Sequence, residues 1–448
     1  MKEYALRLGD WLVSEQRESG GYLGAFGLAD VECYFDTAQV LRGLLSLTPF
    51  NYKYVDSAKK AAVFLCEAIN QNSNEGFPVS YNANHESICP ESAFLYALKP
   101  LITAGEMFDR FDFIEASHNA ADYYTKKYHR FMSLDTITHF LAYEIDGLIE
   151  IGRQAEVIEI LKTIAESQRD DGAIPAKKEA QWVCVPGVAQ LAICWYKVGM
   201  KQYADKAMNW LDSHQKPSGG FLGSIGQGST YYFDDELSWG VKFYLDAYRW
   251  RIRRFFDDWS KVADYSDLSD DSFQLTAVRD ILNNVINYTK SNKICIVDIG
   301  CGKGRFIRGL MRKYPDCTYI GVDLSDAMLE GLPNNVSGIR GELENIPLCD
   351  NTADFVYSNE CIEHSINLSG GVFELARICK PGGTIVIIDK GIKQWGKYNC
   401  PPWERWFTDD AVTLLLKKYC DEVSCEDVHN PNNLEIGLWK IWTGKKRW

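Results

Sequence analysis

The chain has no paired CxxC cysteines, no long apolar run and no excess of basic charge. A helical membrane span takes roughly 18–20 consecutive apolar residues, and no stretch approaches that length. The N-terminal MKEYALRLGDWLVSEQ carries acids and lacks a basic region followed by an apolar one, so it reads as an amphipathic helix. No secretory signal is expected there, and a cytoplasmic location is the expectation. The 14 cysteines are scattered singly, several inside apolar stretches such as ICIVDIGCG. Buried free thiols are therefore expected rather than a disulfide framework. No His/Cys cluster has zinc spacing, and no metal is expected. A formal net charge of −13 argues against nucleic acid as a partner. The one basic run, RWRIRR (249–254), reads as the solvated face of a helix.

At 448 residues the chain is too long for one ordinary core, and two or more domains are expected. Residues 1–256 carry almost no strand signal. Apolar residues recur every three to four positions in 37–47, 56–70, 91–105, 138–152, 187–199, 203–215 and 236–256, the period of helices burying one face. Three segments share one grammar: SEQRESGGYLG (14–24), SQRDDGAIPA (167–176) and SHQKPSGGFLGS (213–224). Each closes a helix with Gln, passes through a polar turn to Gly, and continues with an aromatic or apolar residue. Glycine suits the left-handed conformation that ends a helix. Repetition of this kind predicts stacked helical hairpins, since one hairpin cannot bury its own apolar face.

These Gln-x-x-x-Gly turns resemble those of the α/α-toroid superfamily, which includes terpene cyclases, prenyltransferase subunits and glycan-processing enzymes. YFDTAQVLRGLL (34–45), CVPGVAQLAICW (184–195) and YYFDDELSWGVKFYLDA (231–247) resemble toroid domains of bacterial polysaccharide-cluster proteins. The resemblance implies an (α/α) toroid with a functional centre at one end of the barrel. Candidates there are Asp36, His85, Glu91, His139, Trp182, Asp234, Asp235 and Glu236, with Asp36 and Glu236 foremost for substrate binding. Helix caps and buried polar ties are the competing reading for these residues. No DxDD-type cyclase motif is present.

Residues 257–272, DDWSKVADYSDLSDDS, are acidic and weakly apolar and read as a linker. From 273 a helix leads into a region where short apolar runs alternate with helical ones: 294–300, 306–315, 318–323, 325–332, 337–342, 353–360, 373–380 and 383–390. This alternation predicts a doubly wound, mostly parallel sheet with helices on both faces over 273–448.

Within it, Val297-Asp298-Ile299-Gly300-Cys301-Gly302-Lys303-Gly304 follows a strand and opens a helix. Glycines at alternate positions let the backbone turn tightly and approach a ligand. The GxGxG spacing, with Asp298 two residues ahead, resembles the cofactor loop of class I S-adenosylmethionine (SAM)-dependent methyltransferases. Four ordered motifs over about 90 residues carry that resemblance. It implies a Rossmann-like fold and SAM as cofactor, leaving S-adenosylhomocysteine as product, with Asp298, Gly300, Cys301, Gly302 and Gly304 forming the loop. Gly321-Val322-Asp323-Leu324-Ser325 places a carboxylate where doubly wound folds bind ribose hydroxyls; a helix cap is the alternative for Asp323. Gly341-Glu342-Leu343 resembles the adenine-binding segment, with contact through Glu342 or the Leu343 amide. The fourth strand runs into Asn359-Glu360-Cys361-Ile362-Glu363-His364, which the resemblance lays over the methionine end of SAM.

Methyl transfer chiefly needs alignment of acceptor and methyl, and a hydroxyl acceptor also needs a base. His364 is the candidate base and Glu363 its orienter, or the pair packs beside the cofactor. Trp403, Glu404, Trp406 and Phe407, in an aromatic-rich insert, are candidates to stack on and orient a ring. The expectation for the whole chain is methylation, O-methylation favoured, of a small-molecule or saccharide acceptor bound or delivered by the toroid. A bifunctional enzyme with a lyase-, hydrolase- or epimerase-like toroid is the alternative, and a toroid serving as scaffold is a third reading.

Overall fold

The helix-period runs of the first half fold as helices in the computed structural model, which describes residues 2–24, 31–78, 91–128, 136–263, 266–291, 293–428 and 437–448. The chain divides into two units, residues 1–251 and 252–448. The first holds α1 (Lys2–Glu15), α2 (Tyr34–Leu47), α3 (Tyr52–Gln71), α4 (Leu98–Phe108), α5 (Phe111–Tyr128), α6 (Thr138–Glu150), α7 (Ile158–Glu166), α8 (Val185–Val198), α9 (Lys201–His214) and most of α10 (Ser238–Val262). A 3-10 helix, Glu91–Ala97, precedes α4, and Val183–Cys184 (β1) pairs with Ser224–Ile225 (β2). α5 and α7 were not among the expected helices. α5 buries Ala116, Ala120 and Ala121, small residues that give a weak apolar stripe.

Helices pack with their neighbours and next neighbours in sequence: α2 on α3 and α4, α3 on α5, α6 on α8, α8 on α9. Two glycines set the closeness. A Cβ on Gly147 of α6 would stand 2.4 Å from the Leu95 backbone, and one on Gly187 of α8 would stand 2.4 Å from Thr138 Oγ1. α8 is buried continuously from Val185 to Tyr196, which explains its unbroken apolar sequence.

The repeated turns share one construction. Gln16, Gln168 and Gln215 each donate Nε2–H to the carbonyl of the Gly four residues on, at 3.0, 3.2 and 2.9 Å. Those glycines have φ of 95°, 95° and 86°. Gln16 also donates to Ser57 O on α3, and Gln168 to Tyr203 O on α9. A Cβ on Gly20 or Gly172 would lie 2.3 or 2.1 Å from the carbonyl oxygens of Lys60 and Lys206, three residues beyond each acceptor. Thus the turn after α1 docks on α3 as the turn after α7 docks on α9. A fourth copy escaped the sequence because Asn replaces Gln: Asn72 Nδ2 donates to Gly76 O at 3.2 Å, and Gly76 packs on Tyr124 of α5. The apolar residue after each turn, Tyr22, Phe77, Ile174 or Phe221, is buried.

The second unit opens with the last turns of α10 and continues through α11 (Phe273–Thr289), β3 (Cys295–Ile299), α12 (Arg305–Lys313), β4 (Thr318–Asp323), α13 (Asp326–Leu329), β5 (Ser337–Arg340), β6 (Ala353–Asn359), α14 (Leu368–Ile378), β7 (Cys379–Lys390), α15 (Asp409–Leu416), β8 (Cys420–Asp427) and β9 (Trp439–Lys446). The sheet order is β5-β4-β3-β6-β7-β9-β8, parallel from β5 to β7, with β9 antiparallel to β7 and β8 antiparallel to β9. Alternate residues serve opposite faces. Val297, Val356, Ile385 and Ile387 join one core, while Ile296, Phe355, Tyr357, Val386 and Ile388 join the other. Both faces are covered, as the continuous apolar strands require.

Two expectations change here. Residues 257–262 are the end of α10, held by i,i+3 pairs Arg254–Asp257 and Lys261–Asp258, rather than the start of a linker. The acids that follow are docked: Asp267 pairs with Arg308, and Asp270 with Arg279 and Arg312. The basic run is not a solvated face either. Arg251 is buried against Asp212 and Asn209, and Arg253 pairs with Asp326. The 13 described cysteines are free; eight of them are buried, four are half-buried, and Cys349 is exposed.

Candidate functional site

β3 lies where the strand order reverses, between β4 and β6, the position at which doubly wound sheets open a crevice at their carboxyl ends. The loop leaving β3 takes left-handed backbone at Gly300, Gly302 and Gly304, with φ of 75°, 52° and 78°. A Cβ on Gly300 would strike Cys361 Sγ at 2.5 Å, and one on Gly304 would strike Leu332 at 2.7 Å. The loop is tied to β4 by the N–H groups of Gly300 and Cys301, which both donate to Val322 O. Asp323, at the end of β4, closes it: Oδ2 accepts from Gly302 N–H at 2.8 Å and Oδ1 from Ser325 N–H at 2.9 Å. Burial pushes the Asp323 carboxyl up to about 6, against those hydrogen bonds. Asp298 is buried beneath, accepting from Tyr357 OH at 2.8 Å, and burial lifts it to about 7. It therefore braces the strand end from inside.

The second half of the site follows β6. Asn359 is buried, with Nδ2 near Glu360 and Oδ1 lacking any partner among the described residues. Glu360 takes φ of 52° and accepts from Gln274 and Arg305, holding a sharp bend. Past it, Asp389 of β7 receives the N–H groups of Cys361 and Glu363, each at 3.2 Å. The Glu363 carboxylate is buried and accepts two hydrogen bonds from Lys390 Nζ, at 2.6 and 2.7 Å. Lys390 also reaches Glu404 Oε1 at 3.3 Å, and Trp406 Nε1 donates to the same oxygen at 2.7 Å. Burial opposes the Lys390 ammonium, yet the neighbouring carboxylates of Glu363 and Asp389 hold its proton more tightly than usual.

His364 sits on this cluster. Nε2 faces Glu363 Oε1 at 3.5 Å, Nδ1 is buried without a partner among the described residues, and Phe256 meets the ring edge-to-face at 4.9 Å. Burial draws the imidazole down to about 4, with Glu404 opposing, so it is neutral at pH 7. Donor atoms of Glu363, His364 and Glu404 lie within 4.8 Å of one another, a spacing that suits a cation. The Lys390 ammonium already supplies that charge.

The structure brings the loop residues, Asp323, Asn359, Glu363, His364 and Glu404 together around the carboxyl ends of β3, β4, β6 and β7. Leu324 continues the Asp323 turn. Glu342 lies half-buried just past β5, and Leu343 turns into the core against Gly371. Only the Leu343 backbone is therefore left for a ligand contact. Trp403 and Trp406 are 5% and 4% exposed, with Trp403 against Phe255, so they form wall rather than stacking platform. Phe407 is half-buried. Solvent instead reaches Trp395 and Tyr398 of the same insert, 52% and 44% exposed.

Asp36 and Glu236 belong to the first unit. Glu236 accepts from Ser218 Oγ at 2.7 Å beside the third Gly turn, a tie repeated by Ser19 and Glu32 beside the first. Glu91 pairs with Lys127, Asp234 and Asp235 are exposed, and Trp182 is buried. His85 lies outside the described residues. Sequence reasoning missed Lys390, Asp389 and Glu344, whose Oε1 accepts from Ile366 and Asn367 N–H. It also missed Asp257, which receives Ser325 Oγ–H at 2.6 Å. Only tertiary structure brings these to the site.

Residues 297–387 match the family described as Methyltransferase domain. The chain is 28% identical over 115 residues to malonyl-[acyl-carrier protein] O-methyltransferase 1 of Coxiella burnetii, covering 26% of this chain and 40% of that protein. It is 31% identical over 139 residues to norajmaline N-methyltransferase of Rauvolfia serpentina, covering 29% and 45%. The chain thus spans less than half the length of these curated relatives. A solved protein of Pyrococcus horikoshii OT3 shares 20% identity at a TM-score of 0.33, covering 42% of this chain and 99% of that one. No described helix is long and apolar enough to cross a membrane. The second unit holds a SAM-dependent methyltransferase domain.

Proposed function

We propose that the chain methylates a hydroxyl of a small-molecule or saccharide acceptor, and that the helical unit, an α/α toroid, binds or delivers that acceptor. The cofactor reading is supported by the site's own chemistry. Three left-handed glycines clear a backbone cradle, Asp323 has lone pairs left for ribose hydroxyls, and Asn359 Oδ1 is a buried acceptor with no donor among the described residues. Gly300, Gly302, Asp323, the Leu343 amide and Asn359 would hold SAM, with Glu342 at the adenine end. When bound, SAM supplies an electrophilic methyl group.

The observation that carries the hydroxyl reading is His364, neutral, with Nδ1 lacking a partner among the described residues and Nε2 turned to Glu363. With Nε2–H directed at Glu363, Nδ1 presents the lone pair that takes an acceptor proton. Glu363 and Glu404 then face the resulting imidazolium, while Lys390 keeps both carboxylates in place. Trp395 and Tyr398 offer the exposed rings against which an acceptor ring packs. The toroid reading is supported by the neighbour and next-neighbour packing of helices and by the four repeated turns.

The test is methyl-labelled SAM with the intact protein and a panel of sugars, glycans, phenols and amines. Label retained on a hydroxyl acceptor is the expected result. Label only on amines would overturn the assignment of His364 to a hydroxyl proton.

A further inference from the structure

The helical unit holds a second cluster of chemistry, remote in sequence from the methyltransferase motifs. Thr138 and His139 open α6, and His139 Nδ1 is bound to Gln190 Oε1 of α8. Gly187, one turn before Gln190, lets Thr138 Oγ1 approach α8. Cys184 receives the N–H groups of His139 and Gly187, and its strand partner is Ser224. These residues are therefore contiguous. Three of their polar atoms, Thr138 Oγ1, Gln190 Nε2 and Ser224 Oγ, are buried with no partner among the described residues. Buried polar atoms are almost always satisfied, so three orphans in one cluster mark groups that something else completes.

Aromatic rings wall the cluster. Tyr143, Tyr231 and Phe243 stand 4.7, 5.7 and 6.0 Å from the His139 ring. Charge is absent from the orphan set, and burial keeps His139 neutral by drawing it down to about 4. Lys242, the ion that acts on His139, is paired with Asp246, and burial lifts the Glu144 carboxyl of α6 to about 8, so that it is neutral at pH 7. One orphan is an amide donor and two are hydroxyls that both donate and accept. Rings that pack on C–H faces, mixed donors and acceptors, and no free charge match one ligand class, a neutral polyhydroxylated ring.

We propose that the helical unit carries a binding site for an uncharged sugar, built on Thr138, His139, Gln190 and Ser224. This deepens the saccharide reading above and depends on it only for what the bound sugar is used for. The site is built without Asp36 or Glu236, the carboxylates that the toroid resemblance put forward, although Glu236 bridges to Leu222, two residues before Ser224.

The test is saturation-transfer NMR and calorimetry on the intact protein without SAM, using D-glucose, D-mannose, D-galactose, N-acetyl-D-glucosamine and D-glucuronate. At least one neutral sugar binds, and D-glucuronate binds more weakly than that sugar. Thr138→Val and Gln190→Leu each weaken binding about tenfold or more, since each leaves a ligand hydroxyl unpaired. Thr138→Ser, which keeps the hydroxyl, restores it. Melting curves on each variant separate lost binding from lost fold. No neutral sugar binding to the wild type, binding that survives both variants in folded protein, or preference for D-glucuronate would overturn the proposal. Sugar binding without methylation of that sugar removes the acceptor role and leaves the site standing.

Discussion

Replacing Asp323 by Asn separates what this carboxylate does for the fold from what it does for the cofactor. In the protein alone it accepts from Gly302 and Ser325 at 2.8 and 2.9 Å. Burial raises it from 3.8 to about 6, so the folded chain holds its proton more tightly than the unfolded chain does. Stability from this group is therefore greatest below about 4, falls as pH rises through about 6, and above that the ionised group costs about 3 kcal/mol. Asparagine removes that cost and returns about 1 kcal/mol of it by turning an N–H2 group toward one of the two loop amides. The folded variant at pH 7 should be as stable as the wild type or more so. SAM binding moves the other way. Losing a charged acceptor for the ribose costs about 1.5–3 kcal/mol, or about ten- to a hundredfold in Kd. Calorimetric titration of SAM and a melting curve on the same preparations measure both. Unchanged SAM affinity, or a melting point that falls in step with it, would reduce Asp323 to a strut for the glycine loop and refute the reasoning.

Other perturbations probe the remaining parts. SAM affinity should decline as pH drops from 7 to 5 because Asp323 protonates near 6, and Asp323→Asn should flatten that profile; His364, neutral down to about 4, is not the source. His364→Ala should lower kcat by about 10²–10⁴ in methyl-transfer assays with the SAM Kd little changed; an equal loss in both would make the ring a packing element. Lys390→Met strands the buried Glu363 and Glu404 carboxylates and should cost roughly 3–5 kcal/mol in urea unfolding. Gly172→Ala and Gly152→Ala both place alanine at positive φ, 95° and 85°, but only the first drives a Cβ to 2.1 Å from a carbonyl oxygen, that of Lys206. The Gly172 variant should be the less stable by about 1–3 kcal/mol, and equal melting points would refute the docking of that turn on α9.

The legible parts of the second unit were those fixed by backbone geometry. Strands buried on both faces must be continuously apolar, a loop that turns left-handed three times must be glycine, and the acid at the end of β4 falls at a set distance from that loop. These features carry their cause in the local sequence. Side chains that meet only in three dimensions were hidden. Lys390 ends a strand like many lysines, and nothing local says that Glu363 and Glu404 converge on it. In the aromatic insert the segment was legible and the choice of ring was not. Trp403 and Trp406 are buried while Trp395 and Tyr398 remain exposed, a division that residue type does not set, since Trp395 is as large and apolar as the buried pair. The acidity of residues 257–272 suggests solvation, whereas several of these acids are held in ion pairs. Arg279, Arg308 and Arg312 on α11 and α12 claim those acids, and ion pairs carry no signature in either partner's own segment.

The helical unit shows the same division within a single motif. Gln-x-x-x-Gly was legible as a turn because glycine is needed for positive φ, but its use of Gln lies in contacts with a helix about 40 residues away. Once those contacts are known, the copy at Asn72 follows: one methylene shorter, it keeps the bond to Gly76 and gives up the reach to the next helix, where Tyr124 packs instead. The same logic reassigns Glu236. A carboxylate near the end of a helical hairpin suggests chemistry by its type alone, yet Glu32 repeats its partnership with a serine of the preceding turn. A role that recurs at equivalent turns belongs to the architecture. Thr138, Gln190 and Ser224, whose polar atoms are buried in one cluster without partners among the described residues, are where a ligand-binding function in this unit is to be sought.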